Sequence, residues 1–215
     1  MILSEFDSKA LLRRHGVPTV EEALAEDPDA AVRCARELGW PVAVKLCATG
    51  LAHKTERNLV RLGIADETGL REAARELLGR RETGEHDARL LVQRMVSGRR
   101  ELILGLVRDP QFGPCVMLGV GGILAEAIRD VVFRVAPLAR VDALEMIEDL
   151  RAVHLLGPFR GEPAVDRDVL AAVLGALGRI GVEHPEIASI DVNPMVVCGA
   201  LPVAVDALVE REGGR

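Results

Sequence analysis

The stretch SIDVNPMVVCGALPVAVD, Ser189 to Asp206, constrains the fold more than any other, because it is an apolar β-hairpin interrupted by an acid, an amide and a second acid. Side chains two apart on a strand share a face, so Asp191 and Asn193 point one way while Ile190, Val192 and Val196 point the other. Gly199 and Ala200 suit a two-residue turn, and Cys198 then opposes Leu201. Counting back pairs 196 with 203, 194 with 205 and 193 with 206. Asn193 therefore faces Asp206, with Cβ atoms roughly 5 Å apart, and Asp191 lies one step further along the same face. A hard divalent cation such as Mg²⁺ takes carboxylates, an amide oxygen and waters, leaving positions for substrate phosphates. The same spacing also fits a hairpin whose polar residues face water. Pro202 belongs where no ladder donor is needed.

The 215 residues are enough to bury a substantial core, as one domain or two small lobes. A net charge of −6 gives no basic field, and aromatics at 2% with no Tyr leave few stacking platforms for bases. Nucleic acid is thereby disfavoured as a partner. No apolar run reaches membrane-spanning length, and MILSEFDSKALLRRHG is amphipathic with acids, unlike a signal peptide, so a cytoplasmic location is expected and no membrane partner. Cys34, Cys47, Cys115 and Cys198 lie far apart without a C-x-x-C, which predicts neither zinc nor disulfides, and mostly buried, reduced thiols.

Ser4 or Asp7 can cap a short helix through Leu11 and Leu12 that stops at Gly16. DPDAAVRCARELG predicts a second helix, and PVAVKLC a buried strand whose one charge is Lys45. Beyond the loop ATGLAHKTERN, a strand near Val60 to Ile64 and a helix from about Thr68 to Arg81 follow. RRETGEHD reads as a surface loop and RLLVQRMV as a strand. ELILGLV and PCVMLGV form neighbouring strands joined by a turn at RDPQFG, after a polar, hinge-like break at SGRR. GGILAEAIRD reads as a helix, VVFRVAP as a strand, and ARVDALEMIEDLRAV and DRDVLAAVLGALGRIG as helices. This alternation fits an α/β, two-lobed chain split near Met95.

Lys45 on a buried strand needs an anion, which is a phosphate, an internal carboxylate or escape of the amine to solvent. In LAHKTE, the imidazole of His53 can accept a phosphoryl group or shuttle a proton, and the Lys54 ammonium can stabilise anionic oxygens. The alternative for His53 is a solvated loop histidine. GVGGILAE, with Gly121 and Gly122, joins a strand to an expected helix start where backbone N–H groups favour an anion; a tight turn needing glycine is the alternative. It is not G-x-G-x-x-G, and no G-x-x-x-x-G-K-[ST] occurs, so neither a Rossmann site nor a P-loop is indicated. Arg160, in LLGPFRGEP, suits bidentate phosphate or carboxylate binding, or solvent exposure.

Taken in order, GWPVAVKL, LAHKT, RDPQFGP, GVGGILAE and IDVNPMVV resemble the ATP-grasp subunit of the ADP-forming acyl-CoA synthetases, which include ADP-forming acetyl-CoA synthetase and, more distantly, succinyl-CoA synthetase. The resemblance runs from LSEFDSKALLRRHGVP to VAVDALV. It implies a single ATP-grasp domain over 1–215, with a small nucleotide lobe at 21–95 and a larger lobe of 1–20 plus 96–215. It also implies that Lys45 holds nucleotide phosphates, that Gln93 to Val96, including Met95, line the adenine pocket, and that Glu101 lies on the nucleotide. Gly121, Gly122 and Arg160 belong to the same nucleotide site. Asn193 and Asp206 would bind Mg²⁺, with Asp191 beside them. His53 would be a second phosphoryl carrier between ATP or ADP and a phosphohistidine on a CoA-binding, α-type partner subunit, in a hetero-oligomer. The implied reaction is ligation of an organic acid to CoA with ATP giving ADP and phosphate.

The sequence departs from the family pattern after HKTE, where Asn58 and Leu59 replace a usual Gly-Gly pair. Glycine lets backbone approach phosphate closely, so this substitution favours a rival reading, a non-catalytic ATP-grasp scaffold or regulatory subunit. Lys45, His53, Asn193 and Asp206 favour the enzyme.

Overall fold

The computed structural model describes residues 1–52, 54, 56–122, 129–158 and 160–212. The chain divides into two units: one of Ile2–Asp7 and Val20–Val96, the other of Met1, Ser8–Thr19 and Ser97–Arg215. The first helix, α1 (Glu5–Arg14), is shared between them. Ser4 starts it, its Oγ accepting the Asp7 N–H at 3.1 Å.

The smaller unit holds β1 (Glu22–Ala25), α2 (Pro28–Leu38), β2 (Val42–Cys47), β3 (Val60–Ile64), α3 (Glu67–Gly79) and β4 (Arg89–Arg94). Asp27 and Asp66 cap α2 and α3 by accepting the backbone N–H of Ala30 and Gly69. Its four strands form an antiparallel sheet in the order β1-β4-β2-β3. Val42, Val44, Leu90 and Val92 share one face, which is buried against Ala31, Val32 and Ala35 of α2 and Leu70, Ala74 and Leu77 of α3. β2 is buried along its whole length, which is why it reads as an apolar run broken only by Lys45.

The larger unit contains β5 (Arg100–Asp109), β6 (Gly113–Val120), β7 (Val131–Val135), α4 (Arg140–Glu148), a 3₁₀ turn (Val153–Leu156), α5 (Arg167–Glu183), β8 (Ile187–Cys198), β9 (Leu201–Ala204) and β10 (Ala207–Arg211). Among the described residues the sheet runs β10-β8-β5-β6-β7, with β9 pairing β8. All its ladders are antiparallel. Helix α5 lies close against it: a Cβ added at Gly181 would stand 2.8 Å from Leu106 Cδ1 and 2.9 Å from Pro114 Cβ, so only glycine permits this approach.

Two expectations are revised. α4 stops at Glu148, because the buried Asp130 carboxylate accepts the N–H groups of Arg151 at 3.1 Å and Ala152 at 2.8 Å and bends the chain into the 3₁₀ turn. β1 was not predicted; Glu22–Ala25 becomes a strand by pairing with β4. Most of the helix predicted over GGILAEAIRD, residues 123–128, lies outside the described residues. The cysteines are all free; Cys47 and Cys115 are buried, Cys34 is half-buried and Cys198 is exposed. Burial pushes the thiols of Cys34, Cys47 and Cys115 up, keeping them protonated and unreactive. No described helix is long and apolar enough to cross a membrane.

Arg100 ties Gly157, Glu162 and Pro163 to the hairpin turn. Its buried guanidinium donates to the carbonyls of Gly157 at 3.0 Å, Pro163 at 2.7 Å and Gly199 at 3.1 Å, and pairs with Glu162 at 3.1 Å. Replacing Arg100 by Leu leaves these acceptors buried without their donor and is expected to cost roughly 3 kcal/mol or more in urea unfolding. Arg100→Lys should recover only part of that, since an ammonium lacks the planar fork. A loss under about 1 kcal/mol for Arg100→Leu would show that the clamp does not hold this end of the unit.

Candidate functional site

In the smaller unit the sheet face turned away from α2 and α3 carries the polar residues. β2 pairs with β4 so that Ala43 meets Gln93 and Lys45 meets Leu91, and β1 adds Glu22 opposite Gln93. Lys45 and Gln93 are thus diagonal neighbours on one face, and Glu5 from the first turn of α1 meets both. Glu5 Oε1 accepts from Lys45 Nζ at 2.7 Å and from Gln93 Nε2 at 2.9 Å, while Oε2 lies 2.5 Å from Lys54 Nζ. Gln93 also donates to Glu22 at 2.9 Å. Glu5, Lys45, Lys54 and Gln93 are all buried.

The internal carboxylate weighed for Lys45 is therefore Glu5, a residue that sequence reasoning missed. Glu5 thus brings two buried ammonium groups, Lys45 and Lys54, to one carboxylate. The signal that could have found Glu5 is the demand of a buried lysine for an acid, met by an acid in the first turn of a capped amphipathic helix. Met95 and Val96 follow β4 and are half-buried, with the Met95 N–H donated to the Pro41 carbonyl at 3.2 Å. His53 lies outside the described residues.

The departure at Asn58-Leu59 has a local explanation. Asn58 takes φ +57°, the left-handed conformation that asparagine tolerates better than most residues. Leu59 is buried with Leu46, Ala48, Leu51 and Ala88. Asparagine thus supplies a backbone shape that glycine adopts readily, and leucine fills a small core.

In the larger unit the hairpin has the expected register. Cys198 pairs with Leu201 and Val196 with Val203, and Gly199 turns at φ +61°. β9 and β10 are one strand interrupted at Val205 and Asp206, and the register runs unbroken across the gap, from Met195 with Ala204 to Val192 with Ala207. Asn193 is accordingly opposite Asp206, and its N–H reaches the Asp206 carbonyl at 3.3 Å. Buried Lys9 donates to the Val205 carbonyl at 3.2 Å and braces the interruption; its role was not visible in sequence. On the other side β8 bulges against β5: Leu102 pairs with Met195 and Leu104 with Val192, so Asn193 and Pro194 together oppose Ile103.

Asp191 and Asn193 are exposed, whereas Ile190 and Val192 beneath them are buried. Although its surface is open, the protein mass around Asp191 desolvates the carboxyl and pushes its pKa up, and the Asp206 charge adds to this. Two carboxylates repelling each other beside an amide form an all-oxygen set that a hard divalent cation would relieve, so these residues fit Mg²⁺.

Glu101 and the glycine pair also meet. The Gly121 N–H donates to the Glu101 carbonyl at 2.7 Å, and a Cβ on Gly121 would stand 3.1 Å from that carbonyl. Gly122 has φ +85° and its Cβ position is 3.9 Å from Glu101 Oε2. Glycine is needed here for close approach and turn geometry; the helix start expected to bind an anion lies outside the described residues. Arg160, exposed with φ +47°, sits on the loop that Arg100 clamps.

Glu5→Gln removes the carboxylate that pairs with both buried ammonium groups and is expected to cost roughly 3–5 kcal/mol in urea unfolding; a loss below about 1 kcal/mol would rule out Glu5 as their main counter-charge. Asp191 should behave in the opposite sense. A carboxyl whose folded pKa is raised destabilises the fold wherever it is ionised, above that pKa, and the penalty fades as pH falls towards the unfolded value. In metal-free buffer Asp191→Asn is therefore expected to raise the melting temperature at pH 7 and to lose that advantage as the pH is lowered to 4. An unchanged or lower melting temperature at pH 7 would contradict the repulsion.

The ATP-grasp domain family model matches residues 1–210. The chain is 38% identical over 208 residues to the beta subunit of acetate–CoA ligase (ADP-forming) I of Pyrococcus furiosus, covering 95% of this chain and 90% of that protein. Its structure is similar to that of the dinucleotide forming acetyl-coenzyme A synthetase 1 of Ca. Korarchaeum cryptofilum in complex with coenzyme A, Ca-AMPCP and HgCl⁺, with a TM-score of 0.90, 38% identity, and coverage of 98% of this chain and 93% of that one. The same synthetase with coenzyme A and Mg-AMPPCP, its phosphohistidine segment pointing towards the nucleotide binding site, matches with a TM-score of 0.83 and 38% identity over 97% of this chain and 92% of that one. With its register, its buried lysine face and these likenesses in agreement, the chain belongs to the ATP-grasp family, among the beta-type subunits of ADP-forming acid–CoA ligases.

Proposed function

We propose that this chain is the nucleotide-binding subunit of an ADP-forming acid–CoA ligase and that it moves a phosphoryl group between ATP or ADP and a histidine. A CoA-binding, α-type partner subunit would form the acyl phosphate and carry the first phosphohistidine. The overall reaction is acid, CoA and ATP to acyl-CoA, ADP and phosphate. The observation that carries this reading is the hairpin register, which sets Asn193 opposite Asp206 with Asp191 beside them on an exposed face.

In this reading Asn193 and Asp206 hold Mg²⁺, with Asp191 adjusting the local charge, and the ion when bound neutralises phosphate charge. Lys45 and Lys54, held in place by Glu5, face the phosphates. Gln93, Met95, Val96 and Glu101 are assigned to nucleotide contact, as are Gly121, Gly122 and Arg160. His53 is the carrier: an imidazole nitrogen bonds to phosphorus as the bond to the partner's histidine breaks, and a β-phosphate oxygen of ADP then takes the group. Positioning and charge neutralisation supply most of the rate in such transfers.

Calorimetric titration with ADP, with and without Mg²⁺, in the presence of the partner subunit tests this. Binding should require Mg²⁺, and Asp206→Ala should weaken it roughly tenfold or more, about 1.4 kcal/mol. Phosphorylation of the assembled pair should leave acid-labile phosphate on this chain that His53→Gln abolishes. Failure to bind ADP under any of these conditions would leave the non-catalytic scaffold; ADP binding without phosphate on His53 would refute its carrier role alone.

A further inference from the structure

Two helix C-termini meet in the larger unit at a place that none of the residues above occupies. α1 ends at Arg14, and the N–H of the next residue, His15, reaches the Leu12 carbonyl at 3.0 Å. α5 ends at Glu183, and its cap, His184, donates its N–H to Ile180 at 2.9 Å. The two imidazoles pack edge to face, with centroids 5.4 Å apart and planes at 82°. The Glu183 carboxylate is 3.8 Å from His15 Nε2. Among the described residues, His15, Glu183 and His184 offer ligand atoms that all lie within 4.8 Å of one another.

The hydrogen bonds decide which nitrogens are available. His15 Nδ1 is 3.0 Å from the Leu11 carbonyl, which can only accept, so Nδ1 carries the proton. His184 Nδ1 is 3.2 Å from the Glu186 carboxylate, which fixes the same tautomer. In the neutral rings both Nε2 atoms then present lone pairs. Metal-binding histidines almost always give their second ring N–H to a carbonyl or carboxylate, and both do so here.

The Glu183 carboxylate supplies a full negative charge beside the two rings. Arg108 donates to the carbonyls of Gly181 at 2.7 Å, His184 at 2.7 Å and Ile187 at 2.6 Å, which anchors the backbone that bears His184. Side-chain exposure of 18% for His15 and 57% for Glu183 leaves a path from solvent. Two imidazole nitrogens and one carboxylate suit a borderline metal such as Zn²⁺ or Co²⁺ over Mg²⁺, whose preference is for oxygen.

We propose that His15, Glu183 and His184 bind one divalent transition-metal ion of the Zn²⁺ class, with water at the remaining position, and that the ion fastens the end of α1 to the end of α5. Small side-chain rotations bring three atoms already within 4.8 Å of each other to ligand spacing.

The test is titration of the full chain with Co²⁺ in excess Mg²⁺, so that the all-oxygen hairpin is occupied. The expected result is one saturable equivalent giving the visible d–d bands of a low-coordinate site, without the near-ultraviolet thiolate band that the four cysteines would produce. Zn²⁺ should displace it and, at a hundredfold excess over its dissociation constant, raise the melting temperature by about 5–10 °C. His15→Gln and His184→Gln should each abolish saturable binding, and Glu186→Ala, a change at a partly exposed side chain that touches no metal, should weaken it roughly 10–100-fold. Should a histidine variant not fold, Glu186→Ala still discriminates. Absence of saturable binding, a thiolate band, or affinity unchanged in these variants would overturn the proposal.

Discussion

The register of β8 is the constraint on which most of the larger unit depends. This twelve-residue strand pairs with β5 on one side and with the interrupted strand β9–β10 on the other. A slip of one residue would turn Ile190 and Val192 out to solvent and Asp191 and Asn193 into the core. Burial of the apolar face therefore fixes the polar face as well. The irregularity against β5, the bulge at Asn193 and Pro194 opposite Ile103, falls at the residue proposed to hold Mg²⁺, and bulges commonly re-aim a side chain.

The smaller unit is organised by charge. Its sheet has one dry face packed on two helices and one face that places Lys45 and Gln93 against Glu5. Ammonium groups this well buried are tolerable only with a counter-charge, and Glu5 meets that need for both Lys45 and Lys54. The same carboxylate holds the two amines in place on one side of the sheet. A buried ionic cluster of this kind contributes little net stability but specifies geometry, which suits a role in phosphate recognition better than one in holding the fold.

Helix and strand positions were legible wherever local chemistry was strong. Asp27 and Asp66 announced α2 and α3, and the apolar run of β2 announced a strand covered on both faces. The hairpin pairing followed from one glycine turn and an alternation of period two. β1 escaped notice because EALA has no strand propensity of its own and is extended only by its ladder with β4. α4 was drawn too long because the group that ends it, Asp130, is distant in sequence and acts through its side chain. At Asn58 and Leu59, which replace the family's glycine pair, the structure shows a left-handed turn and a buried leucine that no local sequence signal announced.

By itself the sequence determined the residue chemistry and the local geometry: which strands are buried, which carboxylates and amide share the hairpin face, and that Lys45 must have an anion. It did so because turn, cap and alternation signals act over a few residues. Only the tertiary structure decided which acid answers Lys45, that Lys9 braces the strand break beside Asp206, and that His15 meets Glu183 and His184. Those pairings join residues far apart in the chain, and no local periodicity encodes them. They arise because folding removes water from the groups and leaves each to find its partner within the packed interior.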